Sequence, residues 1–427
     1  MDDQSLPARH GQLLRLTTAG SVDDGKSTLI GRLLADCGAL TRDQMETLTA
    51  ARPNGEDHID FARVTDGLSA EREQGITIDV AYRYFSTPQR AFILADVPGH
   101  EQYTRNMVTG ASNAHAALFL VDVRHGMTRQ TRRHATIAAL LGMQEAVFAI
   151  NKMDLVDYRR ESFAEAKAAL QAFCAKLPFS RVHYLPVSAK MGDNVVHGSQ
   201  AMAWYDGAPL LEILEGLSAG HEGLDLPFRL PIQLISRPQG AAAPDFRGYM
   251  GRIASGRVAI GDRVKVSPGA RESRITSITG PAGPLGAAMA GDSVTVTLAD
   301  QVDAGRGHML AAADAPPREA REIRAIVCWL DDAPQDPRAP YLLRTGTATV
   351  PARIEAPDYL IDIDTLDRVG GDRPLAANDI GAVSIRLKDD IAFDAFGDNP
   401  ATGAFIIIDS RTNATVAAGM IGHEILG

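Results

Sequence analysis

The chain has 427 residues, 45% hydrophobic and 22% charged, which supplies ample apolar material for packed cores and excludes a disordered tail protein. Lys and Arg number 43 against 53 Asp and Glu, a formal charge of −10, so bulk charge does not recruit nucleic acid. Cys37, Cys174 and Cys328 lie far apart without C-x-x-C spacing, so neither a disulfide framework nor a zinc site is expected, and a reducing, cytoplasmic compartment fits. The first residues, Met1-Asp2-Asp3-Gln4-Ser5, are acidic and lack an apolar h-region, so no signal peptide is expected, and no apolar run approaches the roughly 18 residues of a membrane span.

Up to about residue 220, short apolar runs alternate with helical patterns. The runs are Leu13–Thr18, Ala91–Ala95, Ala116–Val123, Glu145–Ile150 and Val182–Val187. Between them, Ser27–Leu34 places Leu29, Ile30, Leu33 and Leu34 on one helical face, and Gln130–Leu141 is also amphipathic. This order predicts βαβ units and a mostly parallel sheet covered on both faces. After Leu224 the pattern changes to short, Gly- and Pro-punctuated strand-like runs: Ile232–Ile235, Gly248–Ile253, Arg263–Val266 and Ser293–Leu298. A second break at Ala311–Pro317 precedes Ile323–Leu330, Thr347–Ile354, Val383–Leu387 and Phe405–Ile408. The expectation is an α/β domain over residues 1–224 followed by two small β-barrels, 225–314 and 315–427.

Only 7 of the 43 basic residues are Lys, so a retained Lys marks a place where a compact ammonium on a flexible stem is needed. Three of the seven fall in short motifs. Gly20-Ser21-Val22-Asp23-Asp24-Gly25-Lys26-Ser27-Thr28 matches G-x-x-x-x-G-K-[ST] between a predicted strand and a predicted helix. Its glycines let backbone N–H groups cradle a phosphate at a helix N-terminus, Lys26 reaches the terminal phosphates, and the Ser27 hydroxyl suits Mg²⁺. Asp96-Val97-Pro98-Gly99-His100 ends the next strand, where a doubly wound sheet places its ligands. There Asp96 would serve the metal, the Gly99 N–H the γ-phosphate, and His100 the attacking water. Asn151-Lys152-Met153-Asp154 follows a third strand. The Asp154 carboxylate can accept from both N1–H and the exocyclic amine of guanine, a donor pair that adenine lacks. Asn151 can bridge loops and base, the Lys152 stem can cover the ring, and Ser188-Ala189-Lys190 can offer a backbone N–H to guanine O6. Between the first two motifs, Glu71–Asp79 contains Thr77, a candidate Mg²⁺ ligand that senses the γ-phosphate.

In this order the motifs resemble those of the translation-factor superfamily of GTPases, the elongation factor Tu and 1-alpha type. Their wording, including Val64-Thr65-Asp66-Gly67 through Phe85 and Pro98-Gly99-His100-Glu101-Gln102-Tyr103, is similar to the GTP-binding large subunits of bacterial ATP sulfurylase. Ser21 and Asp24 stand where translation factors more often carry His, and Val97 stands where the family usually has Thr. Val97 is therefore expected to alter loop packing more than chemistry. The resemblance implies GTP and GDP with Mg²⁺, metal ligation by Ser27, Thr77 and Asp96, and an apolar gate of Val22 and Ile76 beside His100. It implies a hetero-oligomer with a small catalytic subunit that makes adenosine 5′-phosphosulfate, the step driven by GTP hydrolysis, with no nucleic acid or membrane partner. Some relatives carry a fused kinase, which this chain is expected to lack. The alternative is a carrier of aminoacyl-tRNA, which needs basic or stacking barrel surface; here that region has only two Lys and no clustered basic run.

Overall fold

The computed structural model describes residues 11–50, 59–64, 80–97, 107, 114–218, 223–237 and 246–422. The first sheet contains β1 (Gly11–Gly20), β2 (Ala81–Ser86), β3 (Arg90–Asp96), β4 (Ala116–Asp122), β5 (Glu145–Asn151) and β6 (Arg181–Pro186), in the order β2-β3-β1-β4-β5-β6. All neighbours are parallel except β2 with β3. Every residue of β4 and β5 is buried, as continuous apolar runs require of strands covered on both faces. Their register stacks Phe119 on Phe148 at 4.7 Å and Phe148 on Tyr184 at 5.6 Å, tying three strands across one face.

The helices of this unit are α1 (Lys26–Asp36), α2 (Arg42–Ala50), α3 (Arg129–Leu140), α4 (Arg160–Cys174) and α5 (Leu210–Gly216). Helix α1 buries Leu29, Ile30, Leu33 and Leu34, the face expected from their spacing. Thr128 caps α3, its hydroxyl accepting from the Thr131 N–H at 3.1 Å. Strand β2 escapes a sequence reading because it is short and half exposed, with Tyr82 and Tyr84 turned outward on the sheet edge. Among the described residues, no helix is long and apolar enough to cross a membrane.

The rest of the described chain is antiparallel. Strands β7 (Arg229–Pro231), β8 (Leu234–Ser236), β9 (Gly248–Arg252), β10 (Arg257–Ala259), β11 (Arg263–Ser267), β12 (Glu272–Gly280), β13 (Gly283–Leu285), β14 (Ala287–Met289), β15 (Ser293–Leu298) and β16 (Met309–Ala312) form the middle region. The bent segment 229–236 pairs with β16 at one end and β9 at the other, so the sheet curls onto itself around Leu230, Ile232, Tyr249, Val266 and Val296. The last region holds β17 (Arg318–Trp329), β18 (Tyr341–Thr345), β19 (Ala348–Ile354), β20 (Tyr359–Ile361), β21 (Arg368–Gly370), β22 (Ile380–Phe393), β23 (Ala404–Asp409) and β24 (Thr415–Ile421). Because β17 pairs with both β24 and β22, the ring β17-β24-β23-β18-β19-β22 closes into a six-stranded barrel. Burial alternates along β19, which is the period-two pattern of a barrel wall.

Candidate functional site

The carboxyl ends of β1, β3, β4 and β5 converge. Parallel pairing sets Thr18 opposite Asp96 and Asp122 opposite Asn151, so the loops after these strands lie side by side. Strand β1 ends at Gly20, and the chain turns through Ser21–Gly25 into α1. Asp24 holds the turn together: its carboxylate accepts the Ser21 N–H at 2.7 Å, while its own N–H returns to the Ser21 carbonyl. Gly25, at φ 91°, is required twice over. The left-handed backbone favours glycine, and a Cβ there would lie 2.5 Å from the Asn151 amide nitrogen. The N–H groups of Gly25, Lys26 and Ser27 have no partner among the described residues, which leaves an anion cradle at the start of α1.

Lys26 is buried, its ammonium 3.0 Å from Asp96 Oδ1 and donating to the Val97 carbonyl. Val97 has no exposed surface, consistent with a packing role for its side chain. The Asp96 Oδ2 and Ser27 Oγ atoms have no protein partner among the described residues. They are hard oxygen donors of the kind Mg²⁺ takes one or two at a time alongside substrate phosphates. Ser21 bonds through its hydroxyl to Thr128 at 2.6 Å, linking the loop to the cap of α3. Val22 is 44% exposed at the loop tip. Gly99, His100, Thr77 and Ile76 lie outside the described residues.

Asn151 joins the two halves of the site. Its amide donates to the Asp24 carbonyl at 2.8 Å, and its Oδ1 accepts the Ala189 N–H at 2.9 Å. Since the Ala189 N–H is engaged there, the Lys190 N–H is the donor of this loop left without a partner among the described residues. Asp154, in the turn Met153–Val156, accepts from Ser188 Oγ at 2.6 Å through Oδ1, which keeps a second lone pair, while Oδ2 has no protein partner among the described residues. Lys152 stands at φ 65° with its ammonium 3.0 Å from Asp122 Oδ2.

Asp122 and Arg124 were not singled out from sequence. Burial opposes ionisation of Asp122, but hydrogen bonds from Arg124 and Lys152 outweigh it and hold the carboxyl far below its usual range. The signal was a carboxylate ending a strand at the ligand edge of the sheet. Asp24 behaves oppositely: burial pushes its carboxyl up to about 6, against the N–H bonds from Ser21 and Asp122. The folded chain therefore binds a proton between pH 4 and 6 that the unfolded chain releases, so this group's stabilising contribution is lost as pH rises through about 6. Asp24→Asn is expected to remove that slope from thermal melts of the nucleotide-free protein. The difference from wild type at pH 7.5 relative to pH 4 is on the order of 3 kcal/mol. Parallel pH profiles for the two proteins would show that Asp24 does not carry it.

A cradle of unpartnered backbone N–H groups and a buried Lys at a strand-to-helix turn, braced by Asn151 against the loop that carries Asp154, is the arrangement of the P-loop nucleotide-binding class. Residues 11–219 match the family model for the elongation factor Tu GTP binding domain, and residues 322–422 match the GTP-eEF1A C-terminal domain-like model. Sulfate adenylyltransferase subunit 1 of Tolumonas auensis is 45% identical over 98% of this chain and 88% of its own length. The corresponding protein of Cellvibrio japonicus is 46% identical over 97% of this chain and 87% of its own. The bifunctional enzyme CysN/CysC of Mycobacterium tuberculosis is 48% identical over 97% of this chain, which spans 68% of that longer protein. The chain belongs to the sulfate adenylyltransferase subunit 1 family and carries its GTP-binding domain. The reading as an aminoacyl-tRNA carrier is not favoured by these relatives.

Proposed function

We propose that this chain is the GTPase subunit of a sulfate adenylyltransferase, with domains 1–224, 225–314 and 315–427, working in the cytoplasm with a separate catalytic subunit. Hydrolysis of GTP here drives the unfavourable joining of ATP and sulfate into adenosine 5′-phosphosulfate and pyrophosphate on that partner. The reading is supported chiefly by Asn151, which braces the phosphate loop against the base loop beside the double acceptor Asp154. The sulfate half rests on the names of the relatives.

In this reading residues Gly20–Thr28 wrap the β-phosphate, and Lys26 leaves Asp96 to reach the β- and γ-phosphates. Asp154 accepts guanine N1–H and the exocyclic amine, and the Lys190 N–H meets O6. Lys152 covers the ring, held by Asp122. Ser27, Thr77 and Asp96 would hold Mg²⁺, which when bound neutralises charge on the phosphates. The Gly99 N–H meets the γ-phosphate and His100 orients water for attack on it, with GDP leaving. Val22 and Ile76 keep His100 from the water until the complex is engaged.

The test is co-expression with the small subunit and an assay of sulfate-dependent pyrophosphate release. The expected result is release that requires both chains and GTP. Formation of adenosine 5′-phosphosulfate by this chain alone would overturn the division of labour. His100→Ala is expected to leave GTP affinity within a few-fold while cutting stimulated hydrolysis by roughly 10² or more. Equal losses in binding and turnover would instead make His100 a structural residue.

A further inference from the structure

Helix α1 carries a second cation, Arg32, that the phosphate chemistry does not use. It lies less than two turns beyond Lys26, its side chain 18% exposed, and it reaches three places: Asp36 one turn on, with Nη1 3.7 Å from Oδ1, the loop after β6, and the Phe61 ring. Its Nη2 donates to the Lys190 carbonyl at 2.6 Å, and its Nε approaches the Ala189 carbonyl at 3.4 Å. Its guanidinium lies over the Phe61 ring, 4.5 Å from the centroid. Phe61 is 4% exposed and packs its backbone carbonyl so close to Gly31 that no Cβ fits there. One planar side chain is thus clamped between a fixed ring and the loop that follows β6.

The peptide joining Ala189 to Lys190 is planar and trans, so its carbonyl and its N–H point in opposite directions. Arg32 holds the carbonyl side of that peptide. The other side of the loop carries the Ala189 N–H bonded to Asn151 and the Ser188 hydroxyl bonded to Asp154. We infer that Arg32 is a positioning residue for base recognition: by gripping the Ala189 and Lys190 carbonyls against α1 and Phe61, it aims the Lys190 N–H at O6 of guanine. The inference rests on the guanine reading of the site. A guanidinium suits the task because it offers two donors in a fixed fork while its planar face stacks on an aromatic ring; an ammonium can sit over a ring but has neither the fork nor the planar face.

Position 6 of the base isolates this effect. GTP and 6-thio-GTP share ribose, phosphates, N1–H and the exocyclic amine, and differ only in the acceptor that the Lys190 N–H meets. Affinities of the purified full chain for both, and for ATP, are measured by competition against a fluorescent GDP analogue. Wild type is expected to prefer GTP to 6-thio-GTP by roughly tenfold, the worth of one good hydrogen bond. Arg32→Ala is expected to reduce that preference to within about twofold, with Arg32→Lys and Phe61→Leu falling between. A general loosening of the domain lowers both affinities and leaves the ratio alone, so an unchanged ratio in Arg32→Ala overturns the proposal. If Arg32→Ala does not fold, a wild-type ratio in Arg32→Lys overturns it equally. A wild type that prefers GTP to ATP but does not distinguish 6-thio-GTP also overturns it, while the guanine reading stands. No preference for GTP over ATP would instead be failure of the guanine reading itself.

Discussion

Asp154→Asn is expected to lower GTP affinity by roughly two to three and a half orders of magnitude and to admit XTP in its place. The loss corresponds to about 3–5 kcal/mol, the scale of two charge-assisted hydrogen bonds in a dry pocket. In the structure Asp154 Oδ1 is engaged by Ser188 Oγ, so an Asn at this position keeps its oxygen on Ser188 and turns its amine toward the base. That amine faces guanine's own donors but finds a carbonyl at position 2 of xanthine. Asp154 is half-buried and contributes nothing to the apolar core, so thermal stability is expected to stay within about 0.5 kcal/mol of wild type. Mixed with the catalytic subunit, the variant is expected to support sulfate activation with XTP and not with GTP. Undiminished support by GTP at wild-type concentrations would remove Asp154 as the guanine reader.

The largest stability effect is expected far from the nucleotide. Arg229, 2% exposed at the start of β7, forms a paired bond to Asp394, with Nε to Oδ2 and Nη2 to Oδ1 both at 2.9 Å. Its remaining donor serves the carbonyls of Phe228 and Ala315, and Asp394 also accepts from Thr402 Oγ1 at 2.6 Å. The pair thus joins the middle antiparallel region to the last one. Arg229→Ala would leave the largely buried Asp394 carboxylate with Thr402 but without its paired cation, and the Ala315 carbonyl without its donor, while Phe228 keeps the Ala312 N–H; the cost is about 3–5 kcal/mol. For a unit of this size that is a melting temperature lower by roughly 6–20 °C.

Burial of Asp394 works against ionisation, but Arg229 and Thr402 outweigh it and hold the carboxyl below its usual range. Its contribution is therefore complete above the ordinary carboxylate range and is lost as pH falls through the lowered native value. Melts of wild type and Arg229→Ala are expected to converge toward acid pH, with nucleotide affinity unchanged at neutral pH. Equal stability of the two proteins at pH 7 would refute a role for this pair in holding the barrels.

The nucleotide loops were legible because each is a contiguous run with its own chemistry. A cradle needs closely spaced glycines and one Lys, and a guanine reader needs an amide and a carboxylate three residues apart. The scarcity of Lys sharpened this, since Lys26, Lys152 and Lys190 all lie in the three loops. The partners of those residues were not legible. Asp122 pairs with Lys152 only because parallel pairing sets Asp122 beside Asn151. Arg229 and Asp394 are 165 residues apart and carry no local pattern. Strands β10, β13, β14, β20 and β21, each three residues long, are too short for a period to register.

By itself, then, the sequence determined the class of nucleotide site, the alternation of strand and helix before residue 220 and the antiparallel character after it. These follow from backbone periodicity and from residue types that touch ligand, which are properties of short segments. Only the tertiary structure decided which backbone donor of the loop after β6 stays without a partner among the described residues, because the Ala189 N–H is taken by Asn151 and the Lys190 N–H is not. It alone decided that Asp24 is buried, and that Arg32 stands between Phe61 and the base loop. Those outcomes depend on groups brought together from distant parts of the chain, where burial and hydrogen-bond competition, rather than local spacing, select the partner.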